Sequence, residues 1–191
     1  MSPAVERAVA PSGDGARKDW PMMLWLRHLL AIALLPFTAT VIIPLWIARR
    51  YAVALPPDLS LASLPVQAVG LGVLAVGGVL FVSSVRRFQV DGRGTLAPWD
   101  PPRQMVVRGP YRYVRNPMIS GVIFILFGEA LLLCSVPHAT WAALFLLTNL
   151  VYIPLLEEPQ LRGRFGPSYV EYCRHVPRFV PRPRPWTGAE T

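Results

Sequence analysis

Long apolar runs separated by short arginine-bearing stretches set the pattern of this chain. Four runs reach the length a helix needs to cross a hydrocarbon core, about 20 residues: Leu29 to Ala48, Leu64 to Val85, Met118 to Pro137 and Ala139 to Leu156. Three carry no charged residue, and the run from Met118 carries only Glu129. Pro36, Pro44 and Pro154 would break helices in water, but in a membrane bundle neighbouring groups re-satisfy the backbone they free. The pattern predicts an all-α, polytopic membrane protein with four transmembrane helices and a cytosolic C-terminal helical segment.

The polar stretches divide the chain further. Residues 1–22 read as a flexible tail whose following apolar run begins too late and extends too far for a cleaved signal peptide. Residues 23–85 hold the first two spans. Residues 86–182 hold a basic loop, the last two spans and the C-terminal segment, and 183–191 form a second tail. Placing the N-terminus, the 86–117 loop and the C-terminus on one side gathers 17 of the 19 basic residues there. The positive-inside rule makes that side cytoplasmic, with both termini inside. The last two spans, separated by little more than Pro137 and His138, form a tight hairpin, so the loop before it and the segment after it meet. Trp25, Trp46, Trp141, Tyr51 and Tyr152 fall near span ends, where interfacial aromatics sit.

Composition narrows the function. With 53% hydrophobic against 16% charged residues, the chain is too apolar for an ordinary soluble domain or for disorder. The net charge of +8 lies between apolar runs, pointing to a membrane surface with anionic headgroups and not to nucleic acid. Cys134 and Cys173 are too few for a disulfide framework, and His28, His138 and His175 have no ligand spacing, so no metal site is expected. Richness in Arg, Ala, Pro and Gly fits a bacterial inner membrane protein.

Four features carry candidate chemistry, beside one look-alike. Gly70-Leu-Gly72-Val-Leu-Ala75 imitates a dinucleotide fingerprint, but no strand precedes it, and its glycines read as close helix packing. Arg108 to Gly121 combines a Gly109-Pro110 turn, the phenols of Tyr111 and Tyr113, the fixed cations Arg112 and Arg115, and Pro117 at a helix start; a plain basic juxtamembrane loop has the same look. Glu157-Glu158-Pro159 is either a solvated helix start or a pair of partly dry carboxylates able to hold a ligand. Phe165, Tyr169, Tyr172 and Val176 recur on one helical face, interrupted at Gly166-Pro167, which either lies on the bilayer or roofs a pocket. Glu129 alone inside a span is either functional or a polar glue, protonated or hydrogen-bonded to Asn149 in the facing helix.

Together, Gly109-x-Tyr111-x-x-x-Arg115-Asn116-Pro117-x-x-x-Gly121, a hydrophobic hairpin, and Glu157-Glu158-x-x-Leu161-x-x-x-Phe165-Gly166-x-x-Tyr169-x-x-Tyr172-x-x-x-Val176-Pro177-Arg178-x-x-Pro181 resemble the isoprenylcysteine carboxyl methyltransferase family and the related integral-membrane phospholipid methyltransferases. The resemblance spans residues 86–182. It implies an S-adenosyl-L-methionine-dependent methyltransferase without a Rossmann domain, acting on a lipophilic small molecule or lipid through a carboxyl, amine or thiol. By position it implies cofactor contacts from Tyr111, Asn116, Pro117, Gly121, Glu157, Glu158, Tyr169, Tyr172 and Arg178, with Arg115, Glu157 and Glu158 as catalytic candidates. Asn116 replaces a frequent His, and Ile119 replaces a usual Tyr.

Methyl transfer from a sulfonium is an in-line displacement that needs positioning and water exclusion but no enzyme nucleophile. Two other readings compete: an NADPH-dependent membrane reductase of the sterol-reductase type, and a non-catalytic membrane accessory protein.

Overall fold

In the computed structural model, the structure describes residues 33–54, 57, 60–91, 105 and 107–188. The 1–22 tail, Trp25, His28, the start of the first apolar run, and Arg93 and Arg103 of the basic loop lie outside these residues.

Every regular element among the described residues is helical. A π-helical stretch, Ala33–Ile42, continues as an α-helix, Ile43–Arg50, and the two together are α1. Then come α2 (Leu64–Asp91), a 3₁₀ turn (Gly109–Arg112), α3 (Pro117–Leu132), α4 (Val136–Tyr152), a π-helical turn (Ile153–Glu157) and α5 (Glu158–His175).

Two stretches are long and apolar enough to cross a membrane, Leu64–Arg87 and Val136–His175; α3 is apolar but shorter. At 16 residues α3 is about 24 Å long, less than a typical hydrocarbon thickness. The described residues thus supply two such helices where the apolar pattern predicts four.

The predicted third run to Pro137 stops early because Leu133, Cys134 and Ser135 make the turn. Cys134 takes a left-handed φ of 46°, and the Ser135 N–H bonds the Ala130 carbonyl. Pro137 then sits in the first turn of α4, where its missing N–H costs no bond.

Glycines set the tightest packing. Gly70 and Gly77 of α2 lie seven residues apart, as do Gly121 and Gly128 of α3, and the antiparallel helices meet along these rows. A Cβ on Gly70 would come within 2.6 Å of the Leu132 nitrogen, and one on Gly77 within 2.7 Å of the Ile125 nitrogen. A Cβ on Gly121 would reach 2.8 Å from the Phe81 nitrogen and one on Gly128 2.6 Å from that of Leu74. Backbones approach this closely because the glycine at each contact carries no side chain. Gly72, the other half of the fingerprint look-alike, faces open space. Beside the seam, Val122, Leu126 and Ala142 form a buried core with Phe81, Phe127, Trp141 and Phe145 around it.

Proline explains the irregular helix in α1. Pro44 has no N–H, so the Ala39 carbonyl, five residues earlier in a π-helical register, loses its donor. Trp141 Nε1 of α4 donates to that carbonyl at 3.0 Å. One turn earlier in α4, His138 is hydrogen-bonded through Nε2 to the Pro44 carbonyl at 3.1 Å and through Nδ1 to Ser135 Oγ at 2.7 Å. Side chains of α4 therefore complete the backbone of α1. The predicted Glu129–Asn149 bond is not made: Asn149 Nδ2 donates to the Phe145 carbonyl, one turn back on its own helix, at 2.8 Å.

Candidate active site

The helical hairpin returns the chain, so that the entrance of α3 and the exit of α4 face each other, and two extended pieces close the arrangement. The Arg115 N–H donates to the Pro177 carbonyl at 2.8 Å, and the Asn116 N–H to the Arg178 carbonyl at 3.3 Å. The Arg182 N–H donates to the Tyr113 carbonyl, and the Trp186 N–H to that of Arg112, both at 3.0 Å. Arg112 Nε returns a bond to the Trp186 carbonyl at 2.7 Å, and Ser120 Oγ donates to the Phe179 carbonyl at 3.2 Å. Residues 112–120 and 177–186 are thus clasped by backbone groups. The stretch beyond 182, which the sequence reading leaves as a tail, ends the clasp at Trp186.

Above the clasp, α5 bends where the sequence places Gly166-Pro167. Gly166 adopts φ 56°, ψ −137°, a conformation glycine reaches without strain. The bend turns Tyr169, Tyr172 and Val176 inward onto Met105, Val107, Leu161, Phe165, Cys173 and Trp186. This aromatic face is therefore packed against the chain's own side chains. The Tyr172 hydroxyl donates to the Tyr111 carbonyl at 2.7 Å, and the Trp186 ring lies between those of Tyr172 and His175, at 5.7 and 5.4 Å.

Inside this enclosure sits Glu158, only 2% exposed. Arg178 donates from Nε to Oε1 at 2.6 Å and from its NH2 group to Oε2 at 3.0 Å. Arg115 donates from its NH1 group to Oε1 at 3.0 Å, and Arg162, on the exposed side, lies 3.7 Å from Oε2. The same Arg115 nitrogen lies 2.8 Å from Cys173 Sγ. A lone carboxylate here would be costly, and the arginines compensate it. The Glu158 hydrogen bond raises the Arg178 guanidinium above its ordinary value, so that cation is permanent.

Two groups at this junction remain unsatisfied. Arg115 Nε is buried and has no partner among the described residues. Glu157, half-buried beside the committed Glu158, forms no ion pair among them either. Its charge is felt at Tyr111, whose phenol is pushed up chiefly by burial and then by Glu157. Two adjacent carboxylates thus differ in role: Glu158 ties arginines together, and Glu157 is available.

The structure gathers Tyr111, Arg115, Asn116, Pro117, Glu157, Glu158, Tyr169, Tyr172 and Arg178 at one end of the bundle. Gly121 stands apart, turned against the backbone of Gly77 and Phe81. Ile119 is half-buried in the first turn of α3. Cys173 and Trp186 belong to the cluster but were not singled out from sequence. Their only signal there is position: Cys173 falls one residue after Tyr172, and Trp186 ends the proline-rich stretch.

The phospholipid methyltransferase family profile matches residues 66–168, more than half of the chain. The match runs from the start of α2 to the bend of α5, taking in Arg115, Glu157 and Glu158 and ending just before Tyr169. No curated protein and no solved structure matches the chain.

Proposed function

Because the chain belongs to the phospholipid methyltransferase family, and with it to the integral-membrane methyltransferases that act on lipid-like substrates, we propose that it transfers the methyl group of S-adenosyl-L-methionine to a lipophilic acceptor at the cytosolic membrane face. The observation that carries this reading is the unpartnered, buried Nε–H of Arg115, at the same end of the bundle as Glu157, which forms no ion pair among the described residues. A buried donor is costly to leave unmade, and an anion is its natural complement. The amino-acid end of S-adenosyl-L-methionine carries both a carboxylate and an ammonium, so a cation and a free carboxylate at one end of the bundle fit it.

The cofactor supplies a methyl group already activated on a sulfonium. The residues of this chain then have positional tasks. Arg115 holds a carboxylate, either that of the cofactor or that of an acid acceptor. Glu157 holds the cofactor's ammonium or hydroxyl groups. Glu158 fixes Arg115 and Arg178 from opposite sides, and so the entrance of α3 to the end of α5. Tyr111, Tyr169 and Tyr172, roofed by Trp186, keep water away from the transfer, and Asn116 and Pro117 start α3 beneath them. Low dielectric around fixed charges strengthens each of these contacts.

In this reading all four apolar runs cross the membrane, both termini and the Arg115–Glu158 end face the cytoplasm of a bacterial cell, and the acceptor enters laterally from the bilayer. The carboxyl, amine and thiol acceptors remain equivalent for this geometry. The family match runs to methyl transfer and lends nothing to a nicotinamide-dependent reductase or to an accessory protein.

The test is direct binding of S-adenosyl-L-methionine to the protein in lipid nanodiscs, with NADPH as control. Micromolar affinity that falls about tenfold in Arg115→Lys, which keeps the charge but removes the Nε–H, supports the assignment. A folded protein that binds NADPH and not S-adenosyl-L-methionine overturns it.

A further inference from the structure

A second polar feature lies at the opposite end of the bundle, and the methyl-transfer reading makes no use of it. Glu129 is in the last turn of α3, twelve residues and about 18 Å along the helix from Pro117. It opens into a pocket of about 250 Å³ formed by Thr40, Val41, Pro44, Leu45 and Ala48 of α1, Leu132 and Leu133 at the end of α3, and His138. The walls are almost wholly apolar, and Glu129 Oε2 is buried with no hydrogen-bond partner among the described residues.

The other polar groups of the pocket are already engaged. His138 uses both ring nitrogens, on Ser135 Oγ and on the Pro44 carbonyl. The Thr40 hydroxyl donates to the Pro36 carbonyl at 2.8 Å and keeps only lone pairs free. With Glu129 ionised, what the pocket has left to offer is acceptors. An anion would find no donor there. A divalent cation would find a single carboxylate, and no three metal-ligating side chains cluster among the described residues. Arg49 and Arg50 lie at the exposed end of α1 and are not among the lining residues. The missing partner is a hydrogen-bond donor, best a positive one, carried on an apolar body small enough for the space.

We propose that this pocket binds a primary ammonium group on a short alkyl body, with the Glu129 carboxylate as its counter-ion and the α1 and α3 side chains around the chain. The distance from Arg115 makes it a separate site, independent of methyl transfer. A membrane component bearing a primary amine and a free alkylamine share this chemistry.

Octylamine binding to the protein in phosphatidylcholine nanodiscs, read as the rise in unfolding temperature with ligand concentration, tests the site. The expected result is saturable stabilisation by octylamine, with octanol and octanoate at least about tenfold weaker, and loss of the octylamine effect in Glu129→Gln. Leu45→Trp, which obstructs the pocket from a half-exposed position and leaves the carboxylate in place, abolishes it independently. Repetition in nanodiscs containing phosphatidylethanolamine separates the two sources. Competition supports the site with the headgroup amine as its occupant, and undiminished binding supports it with a free amine. Equal stabilisation by octylamine and octanol, undiminished octylamine affinity in folded Glu129→Gln or Leu45→Trp, or no octylamine binding overturns the proposal.

Discussion

Arg178 holds Glu158 with a two-pronged grip, Nε on one carboxylate oxygen at 2.6 Å and the NH2 group on the other at 3.0 Å. Arg115 reaches the same carboxylate from the start of α3. One buried anion thus joins two segments that lie 63 residues apart in the chain. Removing it leaves Arg115, whose side chain is 10% exposed, without a counter-charge. Glu158→Gln should therefore lower stability by about 3 kcal/mol, the lower end for a broken buried pair because the 32% exposed Arg178 is partly screened by water. Arg178→Lys keeps the charge and loses the fork, and should cost about 1–2 kcal/mol. Thermal unfolding in nanodiscs gives both values, and equal losses for the two variants would contradict the role assigned to the fork.

Glu157 should behave in the opposite way. It forms no ion pair among the described residues that its loss would strand, so Glu157→Gln should leave unfolding within about 0.5 kcal/mol of wild type. Its effect should appear in S-adenosyl-L-methionine affinity, weakened about tenfold. Calorimetric titration beside thermal unfolding separates the two carboxylates. Unchanged affinity in Glu157→Gln would remove this residue from the cofactor site.

The glycine seam predicts a contrast within a single helix. Gly70→Ala places a methyl group 2.6 Å from a backbone nitrogen of α3, which only a shift of the helix relieves, and should cost about 1–3 kcal/mol. Gly72→Ala, two residues on and facing open space, should be neutral or stabilising by up to about 1 kcal/mol through helix propensity. Unfolding of the two variants under identical conditions measures the difference. Similar values would mean that α2 and α3 do not meet along these rows.

Much of this arrangement is legible in sequence because it follows from connectivity. A short turn between two apolar helices forces Arg115 and Glu158 to one end, and Gly166-Pro167 marks a bend whatever lies beneath it. Other features require partners from distant parts of the chain. The seven-residue spacing of Gly70 and Gly77 is visible, but its meaning depends on the equal spacing of Gly121 and Gly128 across the interface. Gly121 accordingly looks like a site residue in a motif and turns out to face α2. The end of α3 at Leu132 is hidden because Pro137 looks like a helix stop, when its place is the first turn of the next helix. Asn149 and Glu129 share a compatible chemistry, yet Asn149 finds a nearer acceptor on its own helix. Trp186 follows a proline-rich stretch that has no periodicity, and only the backbone bonds to Arg112 reveal that this stretch is fastened.

That fastening supports the last prediction. Trp186 closes the clasp through two bonds to Arg112 and covers Tyr172 and His175 with its ring. Trp186→Ala leaves the backbone N–H and carbonyl able to bond but removes the ring that excludes water from them and from Tyr172. The backbone amide of Arg182, which donates to the Tyr113 carbonyl, then exchanges with solvent from a looser strand, and the roof over Glu158 opens. Trp186→Phe restores most of the ring area and should restore protection. The expected outcome is hydrogen exchange at the Arg182 amide at least about tenfold faster in Trp186→Ala than in wild type, reflecting a local opening made easier by about 1.4 kcal/mol, with Trp186→Phe in between. S-adenosyl-L-methionine, if it lies beneath this roof, should slow that exchange in wild type and less so in Trp186→Ala. Protection by the cofactor that is the same in both proteins would place its site away from the Trp186 clasp.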